Sequence, residues 1–124
     1  MGYNISEYTV EHYRTVGGDD VIAKWFEGLR DRRAVARISA RIERLTVGLF
    51  GDCKPLRDGV WEMRIDEGPG YRVYYARSGR RVILLLWGGD KRTQVNDIQR
   101  AADFWHDWQE RTDHEKGTRE PPTR

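Results

Sequence analysis

The side chains between residues 60 and 92 that could take part in a reaction are mainly arginine, lysine and tyrosine, together with Glu62. The segment contains no histidine, no cysteine and no constellation of a serine with a base. Such groups suit the binding and cleavage of a phosphodiester better than acyl transfer or metal chemistry, because they stabilise negative charge as it develops. We therefore expect no metal site and no cofactor.

Three strand-like runs, separated by glycine turns, would position these side chains. The first run alternates with a period of two, and its apolar members are Trp61, Met63 and Ile65. We therefore expect Glu62 and Arg64 on the opposite, open surface of a sheet. The Gly-Pro-Gly segment at 68–70 predicts a hairpin turn. The run at 82–87 is apolar enough for a central strand that is covered on both faces.

The elements around these runs complete an α+β domain. Residues 8–14 predict a strand, and Asp19 or Asp20 would cap a first helix. A second helix with an apolar stripe extends towards Gly48, and Thr93 would cap a last helix. The order of strand, two helices, three strands and helix predicts a small antiparallel sheet with an N-terminal helix hairpin packed on one face.

The domain should comprise residues 1–111. Residues 112–124 contain no apolar side chain that could be buried, so we expect a disordered tail there.

The composition restricts the class of protein. No apolar run approaches the roughly 20 residues that span a bilayer, and the N-terminus lacks the apolar core of a signal peptide. Cys53 is the only cysteine, so thiols can build neither a disulfide framework nor a zinc site. We expect a cytoplasmic protein that does not bind a membrane.

The charge is unevenly distributed. The formal net charge is only +2, but residues 51–92 contain nine basic and six acidic side chains, and residues 93–124 contain five and seven. A locally basic face of this kind is typical of a ligand of RNA or of the ribosome. It would equally suit docking of an acidic protein partner.

The second predicted helix carries a stripe of basic side chains. Its members, which fall within an arc of about 80° at about 100° per residue, are Arg33, Arg37, Arg41 and Arg44. The ordinary interpretation is a solvated polar face. The alternative is a track for RNA phosphates, with Arg37 and Arg41 as contacts, or for an acidic segment of a partner.

Three stretches together resemble the RelE/ParE toxin superfamily, and most closely its HigB-like branch of addiction-module killer proteins related to phage-encoded proteins. They are WFEGLRDRRAVARISARIERL at 25–45, GDCKPLRDGVWEMRIDEGPGYRVYY at 51–75 and LLLWGGDKRTQVNDIQRA at 84–101. The resemblance implies a RelE-like fold and the toxin of a type II toxin–antitoxin system. Such a toxin is commonly a ribosome-dependent mRNA endonuclease, and a helix-turn-helix antitoxin encoded beside it neutralises it.

The resemblance also implies roles for individual residues. Arg72 matches the arginine that contacts the scissile phosphate in RelE, and Lys91 and Arg92 lie where RelE has a second important arginine. Arg64 matches a basic position on the active face. In contrast, two RelE lysines correspond to Val60 and Glu62, and a RelE tyrosine corresponds roughly to Ile98.

The implied reaction is attack of a ribose 2′-hydroxyl on the adjacent phosphodiester, which requires a base, cations and an acid but no metal. Glu62 is the candidate base, unless it only forms an ion pair with Arg64 or Arg72. Lys54 is the rival for the role of base or of phosphate clamp. Arg64 and Arg72 could present a fork of donors to the phosphate.

Three further residues, Tyr71, Lys91 and Arg92, could contact the RNA. Tyr71 could stack on a base, although a half-buried strand tyrosine is the commoner arrangement. Lys91 could approach the phosphate from the end of the last strand, or could only pair with Asp90.

Two other functions are compatible with the same resemblance. One is inhibition of gyrase by binding, as in ParE. The other is a non-catalytic binding module that acts with its antitoxin as a co-repressor.

Overall fold

The computed structural model describes residues 7–119, with side chains described as far as residue 114. The five strands in this part of the chain are β1 (Thr9–His12), β2 (Cys53–Pro55), β3 (Trp61–Ile65), β4 (Tyr71–Ser78) and β5 (Val82–Asp90). The helices are α1 (Val21–Gly28), α2 (Arg32–Leu45) and α3 (Gln94–Arg119), and a 3₁₀ turn (Lys91–Thr93) precedes α3. The protein is therefore α+β, as the sequence predicts.

The strands form one mixed sheet in the order β1-β5-β4-β3-β2. β1 pairs with β5 in parallel, with Thr9 opposite Val82, whereas the other pairs are antiparallel. The prediction of a purely antiparallel sheet was therefore wrong. Side-chain alternation reports which face a residue occupies and carries no information on strand direction. The long connection between β1 and β5 permits the parallel pairing.

The short edge strand β2 was not predicted. It pairs with β3 over three residues and ends at Pro55. Three residues are too few to show alternation, and proline is confined to edges or ends of sheets because it has no N–H to donate.

The helices α1 and α2 cover one face of the sheet, as predicted for the helix hairpin. The buried residues there come from both helices and from β3, β4 and β5: Ile22, Ala34, Ile38, Leu45, Met63, Ile65, Val73, Tyr75, Ile83 and Leu85. Trp25 of α1 packs so closely on β5 that a Cβ at Gly88 would lie 2.3 Å from its ring carbons.

Helix α3 covers the opposite face, which the sequence predicted to be open. The buried residues between α3 and this face of the sheet include Val60, Tyr74, Ala76, Leu84, Leu86, Ala101 and Ala102. Apolar side chains on both sides of β5 confirm the prediction of a strand covered on both faces. The open surface is therefore restricted to the end of the sheet that α3 leaves uncovered.

The helix ends follow the expected chemistry with one exception. Asp20 caps α1 through a hydrogen bond from the Ala23 backbone N–H. Thr93 does not cap α3, because Asp90 caps the preceding 3₁₀ turn instead.

Helix α3 also extends past residue 111, where the sequence predicted a disordered tail to begin, and continues to Arg119. The chain from 112 to 116 contains neither proline nor glycine, so a helix already packed on the sheet can propagate into it without burying anything. Residues 120–124 of the predicted tail lie outside the described residues. Within the described part, no helix is both long and apolar enough to cross a membrane.

Candidate functional site

A cleft of about 300 Å³ lies at the end of the sheet where β3, β4 and the 3₁₀ turn meet. It is lined by Asp52, Arg64, Asp66, Gly68, Pro69, Gly70, Arg72 and Lys91. The cleft thus brings together three of the cations predicted from the sequence. Two exposed carboxylates, those of Asp52 and Asp66, share it.

The strand register explains why the two arginines meet. Arg64 and Arg72 are opposite each other in the β3–β4 pair, so both side chains leave the sheet on the face of α3. The Arg72 Nη1 donates to the carbonyls of Gly70 and Tyr71, at 3.2 Å in each case. A Cβ at Gly70 would lie 3.4 Å from Arg72 Nη1. The backbone of Gly70 has a φ of +86°, which favours glycine at this position.

Glu62 lies beneath the cleft and is fully buried. Its Oε1 accepts a hydrogen bond of 2.9 Å from Arg64 Nε, and its Oε2 lies 3.7 Å from Arg72 Nε. The hydrogen bond to Glu62 raises the pKa of Arg64, so this guanidinium stays charged. The cross-strand ion pair, which the sequence left open as the alternative to a catalytic base, is therefore present.

The first turn of α3 supplies further polar contacts beneath the cleft. Gln94 Nε2 donates to Glu62 Oε2. Asp97 is buried and accepts hydrogen bonds from Trp87 Nε1, at 2.8 Å, and from the Thr93 hydroxyl. The chain therefore forms a buried polar cluster that joins β3, β5 and α3.

The Tyr74 hydroxyl belongs to the same region and is buried without a hydrogen bond to any described residue. Burial, followed by the charges of Glu62 and Asp97, raises the pKa of Tyr74. Tyr74 is consequently a neutral phenol whose hydroxyl lies near the Glu62 carboxylate.

Lys54 and Tyr71 are not among the residues that line the cleft. Lys54 is exposed on β2, directly opposite Glu62 in the β2–β3 register. Tyr71 is only 9% exposed, lies on the other face of the sheet and meets the Trp25 ring edge-on at 6.3 Å. Tyr71 is therefore a core residue, more deeply buried than the half-buried strand tyrosine that was the alternative to stacking on a base.

Arg37, Arg41 and Arg44 of α2 line a second cavity of about 330 Å³, which shares Asp66 with the cleft. Arg41 donates from Nη1 to the Arg64 carbonyl at 2.6 Å, and Arg37 pairs with Glu67 at 3.1 Å. These two candidate RNA-binding residues therefore already have partners within the protein, and their heads flank the cleft rather than enter it.

Arg92 is exposed at the outer side of the 3₁₀ turn. Its Nη2 pairs with Asp90 Oδ2 at 2.9 Å, and its backbone N–H donates to Asp90 Oδ1. Lys91, in contrast, lines the cleft, and its backbone N–H donates to the Gly70 carbonyl at 2.9 Å. Asp90 thus pairs with Arg92, and Lys91 faces the cleft.

Asp90 should make the stability of this turn depend on pH. The hydrogen bond from Arg92 lowers the pKa of Asp90. A carboxylate with a lower pKa in the folded state stabilises the protein above its unfolded pKa of about 4, and the contribution is lost as the pH falls through the folded value. Asp90→Asn keeps the capping oxygen and removes the charge. We expect it to lower the free energy of unfolding by about 0.5 kcal/mol at pH 7 and by nothing near pH 2.

Urea unfolding at both pH values measures this difference. Asp113→Asn, an exposed position near the end of α3, controls for removing a carboxylate. An equal loss at both pH values would show that the Asp90 charge has no role.

Three residues of the site were not singled out from the sequence. Asp66 continues the alternation of Glu62 and Arg64, so the period of two could have located it. Asp52 precedes β2, which was not recognised. Gln94 is a neutral residue at the start of a helix, and its contact with β3 depends on the packing of α3, which no local pattern reports.

No group of three or more histidine, cysteine, aspartate or glutamate side chains that could hold a metal ion is found among the side chains described, at residues 7–114.

Comparison with known proteins identifies a family model and a relative that this chain matches. The family model described as "Phage derived protein Gp49-like (DUF891)" matches residues 24–103 of the 124. An uncharacterized protein of Haemophilus influenzae is 52% identical over 77 residues, which are 62% of this chain and 78% of that protein. The residues that line the cleft, together with Glu62 and Gln94, all lie within the region that the family model matches.

Proposed function

We propose, from the premise that the chain belongs to the phage-derived Gp49-like family, that it is the toxin of a type II toxin–antitoxin system and cleaves mRNA. The observation that carries the proposal is the cleft in which Arg64, Arg72 and Lys91 meet. Three cations around one small cavity favour an anionic ligand, and two guanidinium groups can form paired hydrogen bonds with a phosphate.

In the proposed reaction the ribose 2′-hydroxyl attacks the adjacent phosphorus. The 2′-hydroxyl loses its proton to a base and forms a P–O bond. The bond to the 5′-oxygen breaks and this oxygen takes a proton from water, so the products are a 2′,3′-cyclic phosphate and a 5′-hydroxyl. The cations stabilise the additional negative charge of the phosphorane, and preorganised donors of this kind commonly supply the largest part of a rate enhancement. Arg72 and Arg64 would contact the phosphate oxygens, and Lys91 would approach from the rim.

We propose that Glu62 orients the arginines rather than accepting the 2′-proton, because it is fully buried and both its oxygens have partners. Asp52 and Asp66 are the exposed carboxylates of the cleft, so they are better situated to take that proton. A general base must come within hydrogen-bonding distance of the group it deprotonates.

The proposed partners are mRNA on the ribosome and a helix-turn-helix antitoxin. The support for both is the family, whose phage-derived members resemble addiction-module toxins. The arginines of α2, of which Arg37 and Arg44 are exposed beside the cleft, would add sequence-independent attraction to the RNA backbone.

The test adds the purified protein to a reconstituted translation reaction and maps the RNA ends. We expect new mRNA fragments with 5′-hydroxyl ends and cyclic or 3′-phosphate ends. Intact mRNA would contradict the proposal. Intact mRNA together with inhibition of gyrase supercoiling would support the ParE-like function instead, and intact mRNA with operator binding only in complex with the antitoxin would support a co-repressor.

A further inference from the structure

We propose that Gln94 is a positioning residue: through Glu62 it sets the orientation of the Arg64 and Arg72 guanidinium groups at the cleft. The inference rests on the proposed function for its catalytic consequence, but the arrangement itself can be tested without catalysis. It concerns a neutral residue on α3 that does not line the cleft.

The two oxygens of the Glu62 carboxylate have different hydrogen-bond donors. Oε1 accepts from Arg64, whereas Oε2 accepts from Gln94 and lies 3.7 Å from Arg72 Nε, too far for a hydrogen bond. The Arg72 Nε has no hydrogen bond within the described residues. Gln94 therefore satisfies the oxygen that would otherwise take Arg72 as its direct partner.

The backbone that carries Gln94 is held against the sheet by other residues of α3. Asp97, one turn further along α3, accepts from Trp87 of β5 and lies directly over Gly89. A Cβ at Gly89 would come within 1.9 Å of Asp97 Oδ2, so the helix can dock this closely only over glycine. The start of α3 is thus anchored to the sheet independently of Gln94.

Removal of the Gln94 amide would leave Glu62 Oε2 without its hydrogen-bond donor. A fully buried carboxylate oxygen without a donor is costly, so Glu62 would seek another partner. Two buried donors that could bind it are Arg72 Nε, at 3.7 Å from Oε2, and the hydroxyl of Tyr74. Rotation of Glu62 towards Arg72 would draw that guanidinium inward, away from a phosphate, and would also disturb the bond to Arg64.

The experiment compares Gln94→Leu with Gln109→Leu, the same substitution at an exposed position on the same helix. Nuclear magnetic resonance of arginine Nε–H groups reports on the guanidinium environments without any ligand. We expect the Arg64 and Arg72 signals to shift in the Gln94 variant only, while the signal of Arg77, on the opposite face, stays unchanged. Gln94→Met, which keeps the chain length, should repeat the result if the leucine variant folds poorly.

Cleavage kinetics complete the test. Loss of one hydrogen bond to a buried charged group should lower kcat/KM about tenfold in the Gln94 variant. If Gln94 acts through Glu62, the Gln94 substitution should lower kcat/KM little further in a protein that already carries Glu62→Gln. The effects of the two substitutions on kcat/KM should then not add. A purely structural role of Gln94 would give the same additional loss in both backgrounds.

The outcomes separate the two proposals. Unchanged Arg64 and Arg72 signals, or full additivity with Glu62→Gln, would overturn the positioning role even if the wild-type protein cleaves mRNA. If the Arg64 and Arg72 signals shift in the Gln94 variant but the wild-type protein cleaves no mRNA, the positioning role of Gln94 holds and the proposed nuclease activity is wrong.

Discussion

We expect the replacement of Arg72 with alanine to lower the proposed mRNA cleavage by about 10²–10³-fold, because the substitution removes a preorganised donor from the position where negative charge would develop. Arg72 is 8% exposed, and its Nη1 is held by the carbonyls of Gly70 and Tyr71. It is therefore already oriented before a substrate binds. The measurement is the initial rate of fragment formation in the reconstituted translation reaction.

Two variants make this result specific. Arg72→Lys keeps the charge without the planar fork, so we expect activity between those of wild type and the alanine variant. Arg80→Ala, in the exposed turn between β4 and β5 at the other end of the strands, should cleave like wild type. If the Arg72→Ala variant cleaves at the wild-type rate, and its thermal unfolding shows that it is folded, Arg72 has no part in the mechanism.

Replacing Gly88 with alanine should destabilise the protein by about 3 kcal/mol, at the upper end for overpacking a core. The added Cβ would lie 2.3 Å from Cδ2 and Cε3 of the Trp25 ring, closer than non-bonded atoms can approach. Gly88 is buried within β5, so neither the strand nor α1 can move without breaking sheet or core contacts. The free energy of unfolding from urea titration measures the effect.

Gly28→Ala is the matched control, because a Cβ at that position meets nothing within 4 Å. We expect it to be neutral or to stabilise by up to about 1 kcal/mol, since alanine loses less chain entropy than glycine on folding. Trp25→Leu should recover part of the loss when it is combined with Gly88→Ala. Equal stability of Gly88→Ala and wild type would contradict the close packing of α1 on the sheet.

Local patterns predicted which side chains share a face, and packing between distant elements determined the rest. The period of two in β3 correctly separated Met63 from Glu62, and the apolar run in β5 correctly predicted cover on both sides. The same pattern suggested an open surface for Glu62, because it reports the side of a strand and not what lies on that side. Helix α3 buries Glu62 and brings Gln94 to it, which requires contacts over more than thirty positions.

Family resemblance was the source of the roles expected for Arg64, Arg72 and Lys91, and the chemistry of the implied reaction was the source of the role expected for Glu62. Arg64, Arg72 and Lys91, expected from different strands and turns, line one cleft. Glu62 has the ion pair that was its alternative role. Tyr71 is in the core because its position in the alternation of β4 is that of Val73 and Tyr75.

The parallel pairing of β1 with β5 has a consequence for biosynthesis. Thr9 leaves the ribosome before its partner Val82, which follows more than seventy positions later. The sheet cannot close until β5 has emerged, and the arginines of β3 and β4 cannot be ordered until α3 has followed it. Non-local pairing of this kind slows folding, so a nascent chain should remain without a complete cleft until β5 and the start of α3 have left the ribosome.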